Sequence, residues 1–252
     1  MNALITGVTS GFGRSIAIRL AKLGYNLVIT GRRLERLENL ATELRSNFSI
    51  QVQTLCFDVR DNNACTKAIL SLPENLKKID ILINNAGLAA GASPFQESDL
   101  ADYDQMIDTN VKGLLYMTKL IVPGMIDRQS GQIINISSIA GIEVYPNGSV
   151  YCASKHAVNA ITKGLRLDLV KFGIKVSSVS PGMAETEFSL VRYHGDAEKA
   201  KAVYSGFTPL NAEDIADTVE FILTRPAHVS INDIQLNPAQ QANTYITHRK
   251  QE

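Results

Sequence analysis

The stretch that most constrains the fold is "TGVTSGFG", Thr6 to Gly13. It directly follows the apolar run "NALIT" (2–6) and opens an amphipathic pattern over 13–23. Glycines in a strand-to-helix turn let the backbone bend sharply and come close to an anion, and the next helix aims its unpaired N–H groups at that anion. Glycine spacing alone is a weak signal. Its place between a strand and a helix, at the start of an alternating chain, makes it a dinucleotide site. Six further runs read as strands, at 26–30, 50–57, 80–84, 132–137, 174–180 and 232–236. Helical patterns lie between them at 34–46, 62–71, 99–128, 150–172 and 211–224. Several strand runs are apolar at successive positions, as expected when both faces of a parallel sheet are covered. The alternation implies right-handed βαβ units in an α/β, doubly wound, mostly parallel seven-stranded sheet with helices on both faces. With no repeat and no linker, residues 1–252 read as a single domain.

Composition narrows the class. A hydrophobic content of 45% is ample for one large core. Lysine plus arginine equals aspartate plus glutamate, 25 each, so no global basic field draws the chain to nucleic acid. Cys56, Cys65 and Cys152 are odd in number and lack C-x-x-C spacing, which argues against a disulfide framework or a metal site and fits a reducing cytoplasm. No apolar run approaches the roughly 18 residues of a membrane span. No basic region precedes "NALITG", so no signal peptide is expected. In 106–126 apolar side chains run almost all round the helix, which implies burial on more than one face, in the core or against another subunit.

The segment "GSVYCASKHAV" (148–158) sets Tyr151 four residues ahead of Lys155, on one helix face. Alone, that pair is most simply a half-buried ring beside a solvated ammonium. The rest of the chain changes its meaning. The pattern T-G-x-x-x-G-x-G, "NNAG" (84–87), Asp58-Val59 after the third strand and Asn110 in the long helix occur together with "NISS" (135–138), Tyr151, Lys155, "SPG" (180–182) and Thr186. This set resembles the short-chain dehydrogenase/reductase family over essentially the whole chain, and implies its Rossmann-type fold.

The resemblance implies roles. Tyr151 would exchange a proton with the substrate oxygen during hydride transfer between a nicotinamide and a carbonyl carbon, and Ser138 would polarise that oxygen. Lys155 would bond the nicotinamide ribose. A charge about 4 Å from the phenol, at an effective dielectric of about 20, would also lower its pKa by about three units before desolvation opposes it. Asn110 would hold a water leading to Lys155. Gly7, Thr9, Ser10, Gly11, Phe12, Gly13, Asp58, Val59, Asn85, Ala86, Gly87, Pro181, Gly182 and Thr186 would line the coenzyme, with Tyr151 and Lys155. Ser137 is the alternative to Ser138; the thirteen-residue spacing to Tyr151 favours Ser138.

The second strand region reads "VITGRRLERL", with Gly31 where an NAD-specific site carries an acid, followed by Arg32 and Arg33. Paired guanidinium groups suit an adenosine 2′-phosphate, so the expected cofactor is NADP. Arg14 is either a further part of that field or a surface residue.

A dinucleotide-binding regulator would be expected to lack the tyrosine or the lysine, and both are present. Within the family, the lid (about 183–211) and the C-terminal tail (237–252) point to substrate. "AETEFSLVRYHGD" (184–196) and "PAHVSINDIQLNPAQQ" (226–241) are similar to NADP-dependent 3-hydroxy acid dehydrogenases. These act on serine, allo-threonine and 3-hydroxypropionate, reduce malonic semialdehyde, and form homotetramers. A 3-oxoacyl thioester, a steroid or a general aldehyde or ketone is the alternative substrate. A hydroxy acid carries a carboxylate, and Arg192 is the lid arginine placed to bind it; His194 is expected to be exposed.

Overall fold

The computed structural model of the protein describes residues 1–250; the last two residues of the expected tail, 251 and 252, lie outside the described residues. Seven strands form one sheet: β1 (Asn2–Ile5), β2 (Asn26–Gly31), β3 (Val52–Cys56), β4 (Ile81–Asn84), β5 (Gly131–Ile136), β6 (Ile174–Pro181) and β7 (Asp233–Leu236). Their order is β3-β2-β1-β4-β5-β6-β7, and every pairing is parallel.

The reason lies in side chains that alternate between two buried faces. Ala3, Ile5, Leu27, Ile29, Ile81 and Ile83 point to one core layer, and Leu4, Val28, Leu82 and Ile133 to the other. Each Leu or Ile buried this way stabilises the fold by about 1.5–3 kcal/mol. The first layer is closed by α1 (Gly11–Lys22), α2 (Leu34–Asn47) and α10 (Ala212–Leu223). The second is closed by α3 (Asn62–Leu70), α6 (Leu114–Asp127) and α7 (Ser149–Leu169). Three short helices, α4 (Glu74–Lys77), α8 (Phe188–Arg192) and α9 (Ala197–Ala202), and the longer α5 (Leu100–Ile107) complete the set. Ends are set locally. Asp61 caps α3 through the Asn63 and Ala64 N–H groups, and Asn211 with Asp214 forms a capping box on α10.

The helix expected over 99–128 is not uniform. Between α5 and α6 the backbone widens into a π-helical turn, Asp108–Gly113. Such turns break the helical register and redirect side chains. Here Gly113 lies so close to Val59 that a Cβ would stand 2.8 Å from its side chain. Beyond the turn, α6 buries Leu114, Met117 and Ile121 and leaves Leu115 exposed. The third strand is shorter than expected at both ends, Val52–Cys56, although the Phe57 N–H still donates to the Gly31 carbonyl at 3.1 Å.

No described helix is long and apolar enough to cross a membrane. Strand order reverses between β1 and β4, and at such a switch the loops leaving the two strands diverge and open a cleft.

Candidate active site

The cleft is built first by the loops after β1 and β4. The Thr6 hydroxyl accepts from the Asn85 and Ala86 N–H groups at 3.0 and 2.9 Å, and the Asn85 amide donates to the Thr6 and Gly7 carbonyls at 2.8 and 3.0 Å. Gly7 has φ +72°, in the region glycine favours. At Gly13 a Cβ would stand 2.4 Å from the Gly7 carbonyl oxygen. Helix α1 begins at this point with no acid in its first turn and no side-chain cap from Ser10. Its N–H groups are therefore free to receive an anion, and a dinucleotide pyrophosphate fits that cradle.

A cavity of about 480 Å³ runs from this loop to α7 and the lid. Its walls include Gly7, Thr9, Ser10, Gly11 and Phe12 of the glycine loop; Arg32, Arg33, Asp58 and Val59 at the adenosine side; and Asn85, Ala86 and Gly87 after β4. Ser138, Tyr151, Pro181, Gly182 and Arg192 also line it, and Thr186 does so beside Gly11. Gly13, Asn110 and Lys155 stand behind the wall, and the latter two are almost fully buried.

The phenol of Tyr151 is buried, and its ring meets Phe188 of the lid edge-on at 5.7 Å. Burial pushes its pKa up, with Tyr145 adding to the rise, while the Ser138 hydroxyl and the Arg192 charge pull the other way. The lowering of the phenol expected from Lys155 does not offset its burial. The Lys155 Nζ donates to the Ile136 carbonyl at 3.0 Å and stands 5.9 Å from the Tyr151 ring centroid. Burial lowers the lysine to about 8. One turn of helix places the two residues on one face, but desolvation outweighs their mutual attraction. A protonated phenol in a dry pocket is a proton donor.

Ser138 has two functions open to it. Its oxygen accepts from the Ala140 N–H at 3.1 Å, capping the short turn after β5, and its hydroxyl faces the cavity. Ser137 also reaches the cavity wall but is directed to the Lys155 carbonyl, a long contact of 3.5 Å.

The Asn110 side chain is engaged by the β4 loop and α7. Its side-chain oxygen accepts from the Leu88 N–H at 2.8 Å, and its amide donates to the Leu88 carbonyl at 2.8 Å and to Ser154 Oγ at 2.9 Å. With these groups engaged, the amide is a brace between the β4 loop and α7, and a water would have to be held by the main chain. Asn110 lies within the π turn.

The arginines separate by partner. Arg32 stands 3.7 Å from Asp58 and is half exposed. Arg33 donates to Thr9 through Nε and Nη2 and to Glu187 through Nη1 at 2.9 Å. Arg14 pairs with Glu43 on the surface. In the lid, Arg192 donates to the Tyr145 hydroxyl at 3.1 Å and to the Gly91 carbonyl at 3.3 Å, leaving Nη2 without a partner among the described residues. His194 is exposed and pairs with Asp102 at 3.1 Å.

Three contributors were not legible in the sequence. Tyr145 lies under the Arg192 guanidinium, 5.4 Å from ring centroid to Cζ. Glu187 faces Arg33 across the cleft. Thr244 enters the cavity wall from the tail, held there because its N–H and hydroxyl donate to Glu143 at 3.0 and 2.9 Å. Only Tyr145, six residues before Tyr151, had any signal, and that was proximity.

Comparison with known proteins agrees with this geometry. Sulfoacetaldehyde reductase 2 of Chromohalobacter salexigens is 48% identical over 240 residues, covering 95% of this chain and 94% of that one. An NADP-dependent 3-hydroxy acid dehydrogenase of Salmonella typhi is 44% identical over 243 residues, covering 96% of each. A closed form of serine dehydrogenase complexed with NADP+ superposes with a TM-score of 0.92 at 41% identity, covering 100% of both chains. The short chain dehydrogenase family model matches residues 1–195, and the chain belongs to that family.

Proposed function

We propose that the protein is an NADP-dependent oxidoreductase that interconverts a small 3-hydroxy acid and its 3-oxo form, with malonic semialdehyde reduction as the type reaction. The observation that carries this reading is the convergence of Tyr151, Ser138 and Arg192 on one end of a cavity whose other end holds the glycine loop and Arg32. Relatives named as 3-hydroxy acid and serine dehydrogenases support it.

NADPH, when bound, supplies a hydride to the carbonyl carbon. Ser138 donates a hydrogen bond to the carbonyl oxygen, and Tyr151, protonated because it is buried, passes a proton to that oxygen. Lys155 would bond the ribose of the bound coenzyme. Asn110 fixes the Leu88 loop against α7. Arg192 uses Nη2, with its guanidinium backed by Tyr145, to hold the substrate anion.

A sulfonate is the second reading, favoured by the Chromohalobacter relative. Malonic semialdehyde and sulfoacetaldehyde share one layout, an aldehyde, a methylene and an anion, so one arginine serves both. NADPH oxidation with each of these, against neutral aldehydes of equal length, tests the proposal. Equal kcat/KM for charged and neutral substrates would refute it. Arg192→Ala is expected to raise KM for 3-hydroxypropionate by about 10- to 100-fold, the worth of a charge-assisted bond, and to leave its methyl ester scarcely changed. Equal losses for acid and ester would make Arg192 a lid support only.

The assembly proposed is a homotetramer built partly on α6 and α7. Its support is apolar surface left open on the single chain: Leu115 is 42% exposed, Leu167 78% and Val170 67%. A monomer by light scattering at micromolar concentration would refute it.

A further inference from the structure

Glu187 stands at the start of the lid helix α8 and reaches across the cleft to two arginines of the opposite bank. Its carboxylate oxygens lie 2.9 Å from Arg33 Nη1 and 2.6 Å from Arg36 Nη1. Arg36, in the first turn of α2, has no other partner among the described residues. Arg33 bonds Thr9 with its other edge, so it forms a bar from the glycine loop to the lid. Beside that bar Thr186 packs on Gly11, where a Cβ would meet its side chain at 3.3 Å.

The far end of α8 is tied separately. The Gly91 N–H donates to the Arg192 carbonyl at 2.9 Å, and His194 pairs with Asp102. A five-residue helix thus spans the cleft, with Glu187 at one end and the proposed anion-binding arginine at the other. Burial pushes the Glu187 carboxyl up, but Arg36 and Arg33 outweigh that and hold it below the usual carboxylate range. It is therefore charged at neutral pH.

We infer that Glu187 and Arg36, with Arg33 sharing the same carboxylate, form a clasp over the adenosine end of the cleft that retains the coenzyme and positions α8, and with it Arg192, over the catalytic phenol. The clasp rests on the coenzyme reading above. Both are positioning residues, since neither lies beside the phenol. The three side chains are 38 to 49% exposed, so the clasp is weak enough to open at every turnover. Arg32, held only by a 3.7 Å contact to Asp58, is left to meet the 2′-phosphate. Glu187 therefore closes the cleft instead of competing with the coenzyme.

The test uses Glu187→Ala, Arg36→Ala and the double variant in the full chain. Hydrogen exchange of the amides from Phe188 to His194 is followed in the free protein, and NADPH release is followed by stopped-flow fluorescence, with no substrate present. Each single variant is expected to speed both by about fivefold, the scale of a partly exposed ion-pair network. The double variant is expected to match Glu187→Ala, because removing the acid already removes the Arg36 bridge. Wild-type exchange and release in all three would overturn the clasp. So would single effects that multiply in the double variant, or slower release from Glu187→Ala, which would make the acid a competitor of the 2′-phosphate. Failure of the wild type to bind NADPH would overturn the coenzyme reading, and the exchange measurement would still decide the clasp.

Discussion

Tyr151→Phe is expected to bind NADPH nearly as the parent does and to lose at least about a hundredfold in kcat, the lower end of what a positioned proton donor contributes. The substitution removes one oxygen and leaves the ring, which packs against Phe188 at 5.7 Å, so the cavity keeps its shape. The phenol is protonated at neutral pH because burial raises it, with Tyr145 acting in the same direction. The protein is thus set up as an acid for carbonyl reduction. Lys155 supplies the companion signature. Burial lowers it to about 8, so its charge is present below that pH and is lost as pH rises through it. The reductive kcat/KM of the parent should therefore hold through neutrality and fall above about pH 8. A Tyr151→Phe enzyme that kept more than about a tenth of kcat would remove the phenol from the chemistry.

The second large effect concerns the coenzyme. NADP is expected to exceed NAD in kcat/KM by roughly 10²- to 10⁴-fold, since two charge-assisted bonds from a bidentate Arg32 to the 2′-phosphate would contribute about 1.5–3 kcal/mol each. The acid that would read a free 2′-hydroxyl is missing for a steric reason. A Cβ at Gly31 would stand 2.7 Å from the Thr9 methyl group, and Thr9 is held in place by Arg33. The same packing that admits the arginines excludes the carboxylate. Arg32→Ala should lower the NADP value and leave the NAD value unchanged, because Arg32 has no other strong partner to lose. Values within threefold for the two coenzymes in the parent enzyme would overturn the assignment.

The elements legible in the sequence are those whose information is local. Apolar residues at successive positions in 2–6, 26–30 and 80–84 name strands buried on both faces, and these pair in the order β2-β1-β4. "TGVTSGFG" marks the anion cradle because glycine is required where a Cβ would meet the Gly7 carbonyl. Tyr151 and Lys155 share a face because four residues make about one helical turn. Tertiary structure decided the rest. Asn110, within the π turn, braces Leu88, 22 residues away. Glu187 meets Arg33 across 154 residues of chain, and Thr244 joins the cavity wall through Glu143, 101 residues earlier. The protonated state of Tyr151 follows from how deeply packing buries it, more than from the lysine one turn away. Spacing along a chain records which residues share a face of an element. It carries no measure of how much water is removed when that face is covered, or of which distant side chain covers it, and those two quantities set the electrostatics of the cleft.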